Sequence, residues 1–150
     1  MGDTINGQNI ELNRIWKRMN VQYHNYAAAC GFSDPAMWVL YALYENNEEQ
    51  AVTQNDIVET WMYPKQTVNF TIAGLAKKGF VYLEPIGSAR NSKAVHLTEA
   101  GKQLCERTIR PLMQAEENAL RKLSEEDRNA LLRINAAQCD ALEAEIQNRI

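Results

Sequence analysis

Between Lys65 and Lys77 the chain sets Gln66, Asn69 and Phe70 at helical steps, with Lys65 and Thr67 at one end and Lys77 at the other. These side chains suit the reading of a polyanion better than the making or breaking of bonds. Gln and Asn each present a donor beside an acceptor, which matches the major-groove edge of adenine, and an exposed Phe can touch a thymine methyl. Lys65 and Thr67 near a helix start suit phosphates, because free N–H groups and the helix dipole favour anions there. Val68, Ile72 and Leu75 recur on the other side at core spacing, so Gln66, Asn69, Phe70, Ala73 and Lys77 form the outward face. Farther along, Arg90 sits in the polar stretch "IGSARNS" and Lys93 follows it. An arginine at a hairpin tip suits the narrow minor groove. The plainer alternative is a solvated helix face followed by a surface loop.

Covalent chemistry finds no foothold. The chain has no glycine-rich phosphate loop after a strand, no nucleophile elbow and no metal-ligand spacing. The acids of "ENNEEQ" and "SEEDR" fall in a loop and a helix start, where solvation and the helix dipole account for them. Cys30, Cys105 and Cys139 are odd in number and far apart, without a C-x-x-C, and His24 and His96 bear no ligand spacing to them. Each cysteine lies on the apolar side of a predicted helix, so a buried core thiol is the expectation for all three. A redox-sensing thiol is the alternative, and it requires exposure and a lowered pKa. No cofactor is expected.

The charge distribution supports a polyanionic partner where the total does not. Net charge is -3. Residues 1–61 hold 3 basic and 8 acidic residues, and residues 98–150 hold 8 and 10. Residues 62–97 hold Lys65, Lys77, Lys78, Arg90 and Lys93 against Glu84 alone. Positive charge thus gathers on the segment whose side chains suit a phosphate backbone.

A second group is apolar. Trp16, Tyr23, Tyr26, Trp38, Tyr41 and Tyr44 crowd the first third of the chain. Trp16, Tyr23, His24, Trp38 and Tyr41 could wall a pocket for a planar organic acid or phenol. Core packing is the commoner use of any one such ring.

These side chains need elements to position them. Leu12, Ile15, Trp16, Met19, Tyr23, Tyr26, Ala27 and Cys30 predict an amphipathic helix over about 9–30, ended by Gly31. Ser33 caps a second helix, apolar nearly all round through "AMWVLYALY", as a central buried helix is. Thr53 opens a short helix carrying Ile57, Val58 and Trp61. Pro64 and Gly79 punctuate the next. "FVYLEP" and "KAVHL" alternate as two strands of a hairpin. Thr98 caps a helix to about 122 with Leu104, Thr108, Leu112, Ala115, Ala119 and Leu123 on one face and Pro111 inside, where it must kink the helix or cost a hydrogen bond. Ser124 and Asp127 open a last helix whose stripe is Leu132, Ala136, Cys139, Leu142, Ile146 and Ile150. The order helix, turn, helix, hairpin over about 53–97 is that of a winged helix-turn-helix, whose second helix enters the major groove. Apolar stripes on both terminal helices call for a cover, and a two-fold partner is the simplest one. At 150 residues, with no secretory leader visible, one domain of a cytoplasmic protein is expected.

Over nearly its whole length the chain resembles the MarR (multiple antibiotic resistance regulator) family of bacterial transcription factors. "GFSDPAMWVLYAL" resembles the family's second helix and "TQNDIVETWMYPKQTVNFTIAGLAKKGFV" its helix-turn-helix. "HLTEAGKQL" resembles the wing's end with the fifth helix, and "LSEEDRNALL" the start of the sixth. The resemblance implies a mainly α fold with a small β-hairpin wing. A winged core over about 33–97 would be flanked by dimerisation helices over about 9–30 and 98–150. It also implies a homodimer on a pseudo-palindromic operator, often a repressor that a small molecule releases. The alternative is a winged-helix protein-interaction module without specific DNA binding. Four positions depart from the family pattern. Ala89 and Asn91 stand where the family's wing usually carries an Asp-x-Arg pair, and Phe70 and Leu83 stand where arginine is frequent.

Overall fold

The computed structural model describes residues 4–46, 50–87 and 93–150. Six helices and a hairpin follow one another: α1 (Ile5–Ala29), α2 (Asp34–Asn46), α3 (Gln54–Trp61), α4 (Lys65–Lys77), β1 (Val81–Pro85), β2 (Lys93–Leu97), α5 (Glu99–Arg121) and α6 (Glu125–Gln147). The chain divides into two compact units, residues 1–110 and 111–150.

Local chemistry sets the boundaries. The Thr4 hydroxyl accepts from Gly7 N–H, so α1 starts a turn earlier than its apolar stripe. Thr53 and Asp56 form a reciprocal capping box at α3. At α6, Ser124 Oγ accepts from Asp127 N–H at 3.0 Å. Helices α1 and α4 end alike. Phe32 N–H reaches Ala27 O at 2.8 Å and Gly31 N–H reaches Ala28 O at 3.0 Å; Phe80 and Gly79 repeat the pair on Leu75 and Ala76, at 3.0 Å each. This Schellman closure needs a left-handed residue after the cap, supplied at φ +82° by Gly79.

In the first unit, α2 is the central element. Met37, Val39 and Leu40 are buried on it, and Ile57 of α3, Val68 and Ile72 of α4, Val95 of β2 and Cys105 and Ile109 of α5 are buried with them. Strands β1 and β2 are antiparallel, with Val81 opposite Leu97, Tyr82 opposite His96 and Leu83 opposite Val95. A single bridge between Thr53 and Ala94, with Val95 N–H on Val52 O at 2.7 Å, meets the far edge of β2 in this two-stranded sheet. Thr53 therefore ties the wing to the start of α3. The turn into α5 is equally tight. A Cβ at Gly101 would lie 2.0 Å from Phe80 O, so only glycine allows this approach. Tyr26 Oη donates to Thr108 O at 2.6 Å and fixes α1 to α5.

Two expectations are corrected. The inward ridge of α5 within this unit is Gly101, Cys105 and Ile109, with Leu104 and Thr108 only half-buried, so the helix is turned about one residue from the row read in the sequence. The three thiols are not alike: Cys105 is buried, Cys30 half-buried and Cys139 exposed. Cys139 does lie on an apolar stripe, but nothing among the described residues buries it.

In the second unit α5 runs on through Pro111, and α6 has no buried residue. Leu132, Leu142 and Ile146 are each half or more exposed. Helix α6 ends at Gln147, short of Ile150.

Candidate nucleic-acid interface

Helix α4 is held from beneath by Val68, Ile72 and Leu75, as its spacing requires. The solvent side then carries Lys65, Gln66, Phe70, Ala73, Gly74 and Lys77, all exposed. Phe70 is 82% exposed, an extreme value for a ring of its size. An apolar ring held in water costs hydration free energy, and a partner surface that covers it recovers that cost. Pro64 is the N-cap and no side chain caps the helix, so the first-turn N–H groups remain open to an anion.

Asn69 departs from the expected face. It is half-buried, and its Oδ1 is buried without a hydrogen-bond partner among the described residues. Thr67 is half-buried too, and its carbonyl accepts from Thr71 Oγ1 at 2.7 Å. The open face of α4 is therefore narrower than helical spacing alone suggests, centred on Gln66, Phe70 and Lys77.

Among the described residues no carboxylate pairs with Lys65, Lys77 or Lys93. By contrast Arg14, Arg110 and Arg121 are each tied to a glutamate one turn away on their own helices, and Arg149, just past the end of α6, to Glu145. Unneutralised lysines keep their full attraction for phosphate. Lys93 is exposed at the start of β2. Arg90, with Ala89 and Asn91, lies outside the described residues.

Met62, in the turn between α3 and α4, had no signal in the sequence. It caps α3 in the left-handed region at φ 58°, uncommon for a side chain of this kind, and is 84% exposed. It places a second bare apolar side chain at the turn that leads into α4.

The ring-rich group assembles differently from a pocket wall. Trp38 stacks on Trp61 of α3 with centroids 4.5 Å apart, and Tyr23 and Tyr41 pack on Trp38 at 5.0 and 5.4 Å. These rings fill the junction of α1, α2 and α3 by touching one another. Trp61 is a member of this group that the sequence did not assign to it. Its place in α3 beside Ile57 was the available signal. Trp16 is 71% exposed on α1, away from the stack. His24 Nδ1 lies 2.9 Å from Asp34 Oδ1 and bridges α1 to α2. Burial, and after it the Asp34 carboxylate, push the Tyr63 phenol above its ordinary value. A groove of about 470 Å³ lies instead between the α1–α2 turn and α4, lined by Cys30, Phe32, Phe70, Gly74, Lys78 and Phe80 among others.

No helix among the described residues is long and apolar enough to cross a membrane. The chain has sequence and structural relatives. The MarR family matches residues 31–90. A MarR family regulator from Neisseria meningitidis, NMB1585, superposes with a TM-score of 0.76 at 22% identity, over 93% of this chain and 99% of that one. MepR of Staphylococcus aureus in its DNA-binding conformation gives 0.77 at 20% identity, over 90% and 98%. MarR from Oenococcus oeni PSU-1 gives 0.70 at 16% identity, over 89% and 98%. No curated protein matches the sequence.

Proposed function

Because the chain carries a MarR-family winged helix-turn-helix at residues 31–90 and that family's regulator fold over nearly all its length, we propose that it is a homodimeric DNA-binding transcriptional regulator. It acts as a repressor on a pseudo-palindromic operator and is released by a small molecule. The observation that carries this reading is the outer face of α4. Gln66 and Phe70 stand free for base edges, between Lys65 and Lys77, which no carboxylate neutralises among the described residues. Lys93 and Arg90 belong to the wing and would add phosphate and groove contacts.

The dimer draws support from α6, none of whose apolar stripe is buried. Two-fold pairing would bring two α4 helices to half-sites about one helical turn, roughly 34 Å, apart. MepR, with 20% identity, has been solved as a complex with DNA. Ligand release draws its support from the groove against α4, since a molecule bound there would meet Phe70 directly.

Electrophoretic mobility shift with duplex DNA from upstream of the protein's own gene tests the reading. A discrete shifted species that survives competitor DNA supports it. A second reading, a protein-interaction module, is favoured by Phe70 itself, an apolar ring at the centre of the reading face. Failure to bind any duplex, even at low salt, would select that second reading.

A further inference from the structure

Helix α4 carries at its centre a side chain that neither the fold nor phosphate contact explains. Phe70 is 82% exposed, while Val68, Ile72 and Leu75 on the far side hold the helix to the core. Its neighbours one turn away on the open face are Gln66 before it and Ala73 and Gly74 after it. Ala73 and Gly74 are small, and a Cβ at Gly74 would meet nothing within 4 Å. The ring therefore stands proud of the helix, with open space beside it. The groove that it edges, shared with Phe32 and Phe80, leaves it bare. Lys65 and Lys77 bracket the ring, and no charged residue lies between them on the helix.

What such a ring can recognise follows from the chemistry of base edges. In the major groove guanine, adenine and cytosine present only donors and acceptors, and thymine alone adds a methyl group, on C5. A 5-methylcytosine carries the same group at the same place. Phe70 has no donor or acceptor. Pressed on a polar edge, it would displace water from the base and return no hydrogen bond. Against a C5-methyl, two apolar surfaces leave water together. Duplex DNA is the occupant to which the surroundings point. Lys65 and Lys77, with Lys93 on the wing, meet no carboxylate among the described residues, and no side chain caps the first turn of α4. Gln66, one turn before the ring, supplies the hydrogen bonds that the ring cannot.

We propose that Phe70 reads a C5-methyl group rather than a particular base. The operator presents thymine to it, 5-methylcytosine is accepted in thymine's place, and uracil and cytosine are disfavoured. Methylation of a cytosine at that position therefore strengthens binding, so the complex responds to the methylation state of the DNA. The proposal rests on the DNA-binding reading and goes beyond it in naming the chemical group that is read.

The test uses the full-length protein and the duplex it shifts from upstream of its own gene. Each thymine of one half-site is replaced in turn by uracil, which removes the methyl and leaves every donor and acceptor in place. At one position the wild type is expected to weaken by about three- to fourfold, the worth of one methyl-sized group left in water. With cytosine and then 5-methylcytosine at that position, the methylated duplex is expected to bind tighter by about the same factor. Phe70→Ala should lose both differences, and Phe70→Leu, smaller but apolar, should keep part of each. Gln66→Ala should bind more weakly and keep both. Thermal melting identifies any variant that fails to fold. Equal wild-type affinity for every uracil duplex, or a uracil penalty that persists in Phe70→Ala, overturns the methyl reading while the DNA reading stands. A wild type that shifts no duplex even at low salt overturns both.

Discussion

Tyr44 Oη donates to Glu106 Oε1 at 2.6 Å, joining the last turn of α2 to α5 across 62 residues of sequence. That bond, and then Arg110, hold the Glu106 carboxyl below its ordinary value. The same bond, and then burial, push the Tyr44 phenol above its own. The signs follow from which form each partner needs. The anionic glutamate is favoured in the folded state, so its contribution is present above the ordinary glutamate pKa and is lost as pH falls through the depressed folded value. The neutral tyrosine is favoured too, so its contribution is present below the ordinary tyrosine pKa and is lost as pH rises through the raised value. Tyr44→Phe is expected to lower the melting temperature modestly at neutral pH and to flatten its fall at both ends of the pH range. Thermal melts over that range check this, and wild-type-like curvature in the variant would refute it.

The thiols should separate by burial. Burial, and after it Glu106, push the Cys105 thiol up to about 12. Thiolate is the reacting form, so native protein near pH 8 should protect Cys105 from an alkylating reagent until denaturant is added. Its contribution to stability is whole below the ordinary cysteine pKa and fades as pH rises toward 12. Mass-spectrometric mapping of the alkylated cysteines decides the point.

Phe70 lies 82% exposed, so its loss should cost the fold little. Phe70→Ala is expected to leave the melting temperature unchanged and to weaken operator binding by about tenfold, the cost of roughly one mismatched base pair. It should also relax preference at one position of each half-site. Titration of single-base operator variants measures both effects.

Lys93→Ala removes an exposed wing cation that no carboxylate neutralises among the described residues. Affinity should fall by a similar factor for every duplex, and the slope of log affinity against log salt should shrink by about one for each phosphate that Lys93 neutralises. Arg90→Ala is expected to behave likewise. An unchanged slope would place these residues away from the backbone.

Leu142 and Ile146 lie on the open stripe of α6. If a second chain covers that stripe, Leu142→Asp or Ile146→Asp would bury an unpaired charge there and weaken the dimer. Light scattering at micromolar concentration should show monomer in the variants and dimer in the wild type. A monomeric wild type would remove the dimer from the functional reading.

The elements and their ends were legible along the chain because the signals that set them are local. Caps such as Thr53 with Asp56 act within one turn, and so do the Gly31 and Gly79 closures. The 3.6-residue stripe of Val68, Ile72 and Leu75 and the alternation of the hairpin can likewise be read without a partner. The division of α4 into a buried and an open side followed from the same arithmetic. What lies on each face was settled by packing. Helical spacing put Cys105 and Cys139 alike on apolar sides, but α5 is packed into the first unit and α6 is bare. It put Asn69 on the outer face of α4, whereas the packed core half-buries it and leaves its Oδ1 unpaired. It could not bring Trp61 onto Trp38 or His24 to Asp34. The reason is physical: periodicity records which residues share a face, while burial, stacking and ion pairing depend on which surface comes to meet that face.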